Sequence, residues 1–513
     1  MRNDNPYLNE IYASLPRLLA SFDQNPYSPS YGQGDRYRWA WKLIDFGNAS
    51  HQGAAYGLAL LTANNLLPNF LNQKSCLQRI ENIFEGTWGL RRSDGSYEEA
   101  FPMESSYCVT ALVAHDLLSS IKILKHELSS EQISRWLREL KPSIDFLEHH
   151  DESHAMISNH LITAVAALNL YSELTRSEPS PKASDLLSRV LDHQSSEGWF
   201  QEYEGFDPGY ETLSLHYFSS LGSSSKIDKP LADSVQFISH FIHPDGSIGG
   251  CYGSRNTRFY FPSGFEYLAN ENQLAASVAA FMAISITNFT TVTLSSMDPS
   301  NFVPMFNSYC KAASLWQPRE APKNRLPCFL AETWKRHFED AGLFIRKSLQ
   351  NYSIVSLKKG GTVSEYPLSG STKEVTINTG LIGKYHDHLL TTPSNMNLSH
   401  AQVSDSEIEI TSEMIRFSPE LPSPMQFIIL RLLSLSFMRV SFFRNWIKKV
   451  LVRRLITGQR KSGIFNKRRI ILDDPILVLD STSNNNFKPL ASSPYFSSIH
   501  MASQGYWQSQ DDA

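Results

Sequence analysis

The spacing of apolar residues changes once along this chain, and the change divides it into a helical region and a β region. From residue 39 to about residue 290, apolar side chains recur every three or four positions, as in Ala54, Leu58 and Leu61. This is the period of an α-helix. After about residue 346, stretches such as YSIVSLKKGGTVSEY alternate apolar and polar residues between glycine turns, which is typical of β-strands.

These patterns predict an α + β multidomain protein. The expected order is an N-terminal extension, a helical domain, a helical connector, an antiparallel β domain and a flexible tail rich in Asn, Ser and Gln. The corresponding ranges are 1–38, 39–294, 295–346, 347–483 and 484–513.

Three loops of the helical region resemble one another, and they suggest how its helices are arranged. The loops 93–107, 196–210 and 244–257 each place an acidic residue and a glycine at a tight turn. Their spacing is uneven, which is not the pattern of a simple solenoid. It suits helical hairpins whose long loops gather at one end of a ring.

The charge of the chain is nearly balanced overall but is concentrated in one segment. With 47 basic and 51 acidic residues the formal net charge is −4, so a nucleic-acid partner is not expected. Residues 425–470 contain twelve Lys or Arg and no Asp or Glu. The segment 425–456 combines these charges with many apolar residues. It is either an internal packing element with its basic ends in water or an amphipathic helix on an anionic membrane.

Other features of the sequence bear on location and chemistry. The polar N-terminus resembles no secretion signal, and no uncharged apolar run reaches 18 residues, so we expect a cytoplasmic protein, with 425–456 making peripheral contact with the inner membrane face. Five widely spaced cysteines suggest reduced thiols. No metal or cofactor motif stands out, and neither a metal nor a cofactor is expected.

Candidate site residues cluster at the start of one helix and in the second loop. Asn159 and His160 precede an apolar helix; Asn159 either caps that helix or faces the mouth of the ring, and His160 is either a structural histidine or part of the same site. The second loop mixes aromatic and acidic residues, a combination that suits a carbohydrate cleft. Its candidates are Trp199, Glu202, Tyr203 and Tyr210, with His216 six residues further on.

The third loop adds Tyr252 and Arg255 beside several glycines. The planar fork of an arginine can bind a substrate carboxylate through two hydrogen bonds. Arg255 could equally tie the loop to a buried acid, and the sequence leaves both possibilities open.

Three stretches carry a resemblance to a known family: SNHLITAVAAL, EGWFQEYEGFDPGYETLSLHYF and DGSIGGCYGSRNTRFYFPSGFE. Together they resemble the heparinase-type polysaccharide lyases (heparinase II/III-like) and their uncharacterised relatives. The resemblance implies an incomplete (α/α) toroid followed by an antiparallel β-sandwich. It also implies a lyase that removes the proton beside the carboxylate of a uronic acid.

By motif position, the resemblance implies that Asn159, His160 and Tyr210 are catalytic. Trp199, Glu202, Tyr203, His216, Tyr252 and Arg255 would then contact substrate. Two positions differ from the family pattern, because Tyr210 is followed by Glu211 instead of His, and Ser158 stands where the motif has Asn.

The residues leave several functions open. The favoured one is a lyase or epimerase acting on an acidic polysaccharide or its lipid-linked precursor. Because no export signal is expected, synthesis or tailoring of a surface polysaccharide suits the chain better than degradation. One alternative is a glycoside hydrolase using two carboxylates such as Glu202 and Asp207. Another is a non-catalytic polysaccharide-binding or assembly protein.

Overall fold

The structure is a computed structural model. It describes residues 4–152, 155–319, 323–368, 375–392, 399–417, 421, 423–452 and 460–490. Most of the expected flexible tail, from residue 491 onward, and the end of the cationic segment, 453–456, lie outside the described residues.

Fifteen α-helices occur among the described residues. They are α1 (Pro6–Ala20), α2 (Arg36–Trp39), α3 (Ala54–Ala63), α4 (Gln73–Trp88), α5 (Tyr107–Ile123), α6 (Ser130–His149), α7 (Ser158–Thr175), α8 (Pro181–Asp192), α9 (Pro208–Phe218), α10 (Asp228–Ile238), α11 (Ser263–Leu268), α12 (Gln273–Thr287), α13 (Pro299–Leu315), α14 (Pro424–Leu435) and α15 (Ser441–Val452).

Twelve strands follow in the described part of the C-terminal region. They are β1 (Trp334–Phe338), β2 (Leu343–Lys347), β3 (Asn351–Ser356), β4 (Thr362–Pro367), β5 (Thr376–Asn378), β6 (Ile382–Tyr385), β7 (His388–Thr391), β8 (Ser399–Val403), β9 (Glu407–Phe417), β10 (Arg460–Ile471), β11 (Leu477–Thr482) and β12 (Lys488–Leu490).

The helices form a ring with an inner and an outer layer. Helices α3, α5, α7, α9, α11 and α13 each pack against the next, and α13 packs against α3. Helices α4, α6, α8, α10, α12 and α1 lie outside them. The sequence explains the two layers: α8 buries only Ala183, Leu186 and Val190, the single stripe of a surface helix. The inner helix α5 buries most of its side chains.

The limits of the helical region differ from the prediction. Helix α1 lies in the expected N-terminal extension and packs against α12 and α13, while α13 lies in the expected connector and belongs to the inner ring. The strands begin at Trp334, earlier than expected. The stretch 295–346 therefore contains both a ring helix and two strands. The sequence did not show this division, because the elements there are short and interrupt the longer apolar patterns on either side.

The first sheet is the middle layer of the molecule. Its order is β1-β2-β3-β4-β5, and all its neighbouring strands are antiparallel. Successive residues of a strand point to opposite faces. Leu343 and Ile345 join the large core shared with the helices, whereas Phe344 joins a separate cluster with Ile408 and Ile470 of the second sheet. Both faces of the first sheet are therefore buried.

The second sheet is the outer layer. Its order is β11-β10-β9-β7-β6-β12, with β8 also paired to β9. Strand β10 alternates between buried and exposed residues over its second half, as expected for a sheet with one solvated face. The expected order of an (α/α) toroid followed by an antiparallel β domain is confirmed.

Candidate active site

The loops that precede the inner helices meet at one end of the ring. The backbone N–H of Ala49, before α3, donates to the carbonyl of Glu98, before α5, at 3.2 Å. Ile157, before α7, pairs as an antiparallel bridge with Glu202, before α9. Helix N-termini carry partial positive charge, and the N-termini of these inner helices lie at this end of the ring.

Asn159 and Glu202 form a buried pair at this end. The side-chain nitrogen of Asn159 lies 2.9 Å from each carboxylate oxygen of Glu202, and the backbone N–H of Asn159 donates to Oε1 at 3.0 Å. Both residues are buried. Burial raises the pKa of Glu202 to about 8, although the hydrogen bonds from Asn159 act in the opposite direction. At neutral pH this carboxyl is therefore largely protonated.

This pairing settles the capping alternative for Asn159. The N-cap residue of α7 is Ile157, which makes no side-chain capping bond, and Ser158 and Asn159 are the first two helical residues. Glu202 from the neighbouring loop accepts the N–H that a local cap would have satisfied. The side chain of Asn159 thus joins two loops and does not cap its own helix.

Asp207 anchors two more of the predicted site residues. It is the N-cap of α9, where Oδ1 accepts the backbone N–H of Tyr210 at 3.1 Å. Its other oxygen accepts the backbone N–H groups of Arg255 at 3.0 Å and Thr257 at 3.3 Å. The hydroxyl of Thr257 donates to Oδ1. One carboxylate therefore sets the positions of Tyr210 and Arg255, which are 45 residues apart.

The two acids of the hydrolase alternative are both internal. Glu202 and Asp207 are buried, and their oxygens are occupied by the contacts described above. Burial raises the pKa of Asp207 as well. A hydrolase needs one carboxyl group on each side of the glycosidic bond, and this pair faces other parts of the protein instead.

The guanidinium of Arg255 stacks on aromatic rings. Its Cζ lies 4.0 Å from the ring centre of Tyr203 and 5.9 Å from that of Tyr210, and its Nε has no hydrogen-bond partner among the described residues. Burial raises the pKa of Tyr203 to about 12, while Arg255 acts in the opposite direction. The contact with a buried acid, Asp207, involves the backbone of Arg255, so its side chain is not used for that purpose.

His160 is paired with an acid that is not among the predicted site residues. Its Nδ1 lies 2.7 Å from Oε2 of Glu152, whose side chain is almost fully buried. The His160 side chain is about one-sixth exposed, at 17%. A carboxylate on Nδ1 orients the imidazole and leaves Nε2 for another partner.

Three of the predicted substrate-binding residues make internal contacts. Trp199 packs against Phe206. The hydroxyl of Tyr252 lies 2.8 Å from Nε2 of His243. His216 pairs through Nδ1 with the hydroxyl of Ser263 at 2.5 Å. The side chains of Tyr252 and His216 are completely buried, which leaves them no surface for a polymer, whereas Trp199 is 9% exposed.

The β region supplies one residue that the sequence analysis missed. Lys359, in the turn between β3 and β4, donates from Nζ to the carbonyl of Gly253 at 2.8 Å and to the side chain of Asn256. Burial lowers the pKa of Lys359 to about 8, although Cys251 and Asp207 act in the opposite direction. The lysine lies more than a hundred residues from the loop that it holds, so no local spacing could have indicated the contact.

Comparison with known proteins identifies part of the chain. Residues 72–265 match the family model of the ulvan lyase N-terminal domain. That segment is similar to a domain of polysaccharide lyases. The matched segment contains every predicted site residue from Asn159 to Arg255, whereas Lys359 lies outside it. None of the curated proteins matches the sequence.

Solved structures with some similarity include three lyases. A chondroitin AC lyase from Streptomyces coelicolor A3 has 10% identity and a TM-score of 0.45, covering 80% of this chain and 67% of that one. A Paenibacillus xanthan lyase has 11% identity and a TM-score of 0.47, covering 82% and 46%. Heparinase III has 12% identity and a TM-score of 0.43, covering 93% and 77%.

Proposed function

We propose that the protein is a lyase or epimerase that abstracts a proton from a uronic acid in an acidic polysaccharide. The observation that carries this proposal is the shared anchor at Asp207. It holds together Tyr210, whose phenol can transfer a proton, and Arg255, whose guanidinium can bind a carboxylate. These are the two functions that proton removal next to a carboxylate requires.

The reaction follows from the chemistry of the uronate. A base takes the C5 proton, and the electron pair left behind spreads onto the carboxylate, where Arg255 offsets the developing negative charge. In elimination this pair forms the C4–C5 double bond, the C4–O bond breaks, and the departing sugar oxygen takes up a proton. In epimerisation a proton returns to C5 from the opposite face, and no bond between sugars breaks.

Asn159 and His160 are proposed to assist at the carboxylate. The two oxygens of Glu202 subtend only about 45° at the Asn159 nitrogen, whereas the two amide hydrogens diverge by about 120°. Glu202 therefore engages one hydrogen, and we propose that the second meets the substrate carboxylate as substrate enters beside Asn159, which is 3% exposed. Glu152 orients His160 in the same way, so that Nε2 is left for a sugar oxygen.

We further propose that the substrate is a surface polysaccharide or its lipid-linked precursor, met at the inner face of the membrane. None of the helices in the described part of the chain is long and apolar enough to cross a membrane. The contact would be peripheral, through the cationic segment 425–456. Genes for glycosyltransferases and polymer exporters beside this one would support a role in synthesis.

The test is the product formed from uronate polymers. Ulvan, chondroitin sulphate and xanthan are incubated with the protein, and the unsaturated uronate is followed by its ultraviolet absorbance. Tyr210→Phe should lower turnover by about 10²–10⁴-fold with little change in binding. The matched control is Tyr171→Phe, near the far end of helix α7.

Each other outcome has a definite meaning. Deuterium incorporation from heavy water without cleavage would identify an epimerase. Saturated products alone would replace the proposal with a hydrolase. Equal rates for Tyr210→Phe and Tyr171→Phe would remove Tyr210 from the mechanism.

A further inference from the structure

Helices α14 and α15 follow one another and both pack against the short turn Phe437–Arg439 between them. This pair of helices, called the hairpin below, carries unusually exposed apolar side chains. Phe442 is 73% exposed and Trp446 58%. Such side chains are normally covered by protein, lipid or another copy of the chain. The other exposed apolar residues of this hairpin are Met425, Phe427, Ile428, Ile429, Leu432, Leu435, Phe437, Val440, Phe443 and Val450.

A second exposed segment of similar character lies early in the chain. Residues 36–43 have the sequence RYRWAWKL, with three basic residues and no acidic one. Trp41 is 65% exposed and Leu43 72%. Trp39, by contrast, is anchored by donating its ring N–H to the carbonyl of Ser21 at 2.7 Å. The segment is therefore fixed to the protein while its neighbouring aromatic and aliphatic residues face outward.

One ion pair connects the two segments. Arg431 of helix α14 lies 2.6 Å from Asp45, two residues beyond Leu43. This contact joins a helix of the β region to a loop of the helical region across 386 positions of sequence. It also neutralises Asp45, the first acidic residue after the early segment.

The early segment lies at the open end of the ring. Asp35 accepts the backbone N–H of Asn48 at 3.1 Å, and the next residue, Ala49, donates to the carbonyl of Glu98. These contacts lie immediately before helix α3 and in the loop before α5, where the loops carrying the candidate active site meet. The early segment therefore lies beside the loops before α3 and α5, and the Arg431–Asp45 ion pair places helix α14 next to it.

We propose that residues 36–43 and the hairpin α14–α15 form one composite surface that docks on a bilayer containing anionic lipid. Aromatic and aliphatic residues enter the interface, and basic residues face the lipid phosphates. Charge favours an anionic bilayer over a second copy of the chain as the partner of this surface. Because residues 425–470 contain no acidic residue, two copies of the hairpin would repel each other. The inference rests on the peripheral membrane contact proposed above, and adds that the cleft opens beside the lipid surface.

Vesicle flotation of the full-length protein tests the composite surface. Vesicles of phosphatidylcholine are compared with an equal mixture of phosphatidylcholine and phosphatidylglycerol, at low and high salt. We expect binding only with the anionic lipid, weakened by salt. The double variant Trp41→Ser/Leu43→Ser should lower partitioning about tenfold, and Phe442→Ser/Trp446→Ser at least as much.

The control is Phe70→Ser, because Phe70 is also exposed but follows the opposite end of α3. It should bind vesicles like the unchanged protein. If only the hairpin variant loses binding, the early segment has no part in docking and the composite surface is refuted. Unchanged vesicle binding in both double variants also refutes the composite surface. So does a protein that never floats with vesicles, including one that instead self-associates as its concentration rises.

Failure here is distinguishable from failure of the proposed reaction. The lyase assay uses polymers in solution and needs no membrane. A protein that forms unsaturated product but never floats would retain the proposed reaction and lose the membrane surface. A protein that floats but leaves every polymer unchanged would retain the membrane surface and lose the proposed reaction.

Discussion

The side-chain amide of Asn159 lies 2.9 Å from both carboxylate oxygens of Glu202. This contact connects the first turn of helix α7 to the loop before α9, and it is buried. Since one partner is ionisable, the junction depends on pH. The opening of the candidate active site is therefore joined to a group that titrates near neutral pH.

The pKa of Glu202 predicts a change of stability with pH. Its folded-state pKa is about 8, against an ordinary value of 4.5. As pH rises from 4.5 to 8, the unfolded chain loses the proton while the folded chain retains it, so stability falls across this range. Each unit of pKa difference corresponds to about 1.4 kcal/mol.

Glu202→Gln should remove this contribution. Glutamine is neutral and can still accept the backbone N–H of Asn159. We expect its melting temperature to fall less than that of the unchanged protein between about pH 5 and about pH 9. Parallel pH curves for the two proteins would show that Glu202 is ionised in the folded state. The comparison isolates Glu202 because other buried acids are common to both proteins.

Asp207 should be essential for stability as well as for activity. Asp207→Ala removes the N-cap of α9, which typically costs about 0.5–2 kcal/mol. It also leaves the N–H groups of Arg255 and Thr257 without an acceptor, at about 1–3 kcal/mol for each buried group. Thermal and denaturant unfolding measure the loss, and Asp207→Asn, which keeps one acceptor oxygen, should be less affected. A variant Asp207→Ala as stable as the unchanged protein would contradict the anchoring role.

Lys359 is predicted to position the loop of Arg255 without touching substrate. Lys359→Met keeps the length of the side chain but removes the bonds to Gly253 and Asn256. We expect KM for a uronate polymer to rise about tenfold, the equivalent of 1.4 kcal/mol, with a smaller change in kcat. Lys358→Met is the matched control, because Lys358 bonds to the carbonyl of Asp340 at an exposed site. Equal KM values for the two variants would exclude the positioning role.

Arg255→Lys should distinguish substrate binding from loop structure. Lysine keeps the charge but lacks the planar fork and the stacking surface that Arg255 presents to Tyr203. Binding of uronic acid oligomers should weaken by about 10–100-fold, in line with the loss of a charged hydrogen bond. Neutral oligosaccharides, measured by the same calorimetry, should lose much less. Equal losses for both ligands would indicate that the arginine supports the loop instead.

The broad architecture could be predicted from sequence because it depends on repeated local patterns. Apolar spacing predicted helices and then strands, and the similar loops predicted that they meet at one end of the ring. The place of α13 was missed, because a single helix beside two short strands resembles a connector. Ring closure depends on the contact of α13 with α3, between residues far apart in sequence.

Individual site residues were harder to predict. The sequence around Trp199 and His216 is compatible with either a cleft or the core. Only the tertiary structure shows that these two side chains are internal. The pairing of Asn159 with Glu202 was likewise invisible, since a residue at a helix start commonly acts as a cap. Motif position gave the region in which the candidate site is proposed, but could not indicate which polar groups are occupied by one another.

The doubly buried first sheet has a consequence for how such a chain can be divided. The β1–β2 turn is held by Glu197, which accepts the N–H groups of Asp340 and Ala341 at 3.0 and 2.9 Å, and Leu343 and Ile345 share a core with the helices. A chain ending after helix α13 would therefore expose apolar surface normally covered by this sheet. Recombination between relatives would have to transfer the ring and the first sheet as one module, and any exchanged outer sheet would have to cover the face on which Phe344 lies.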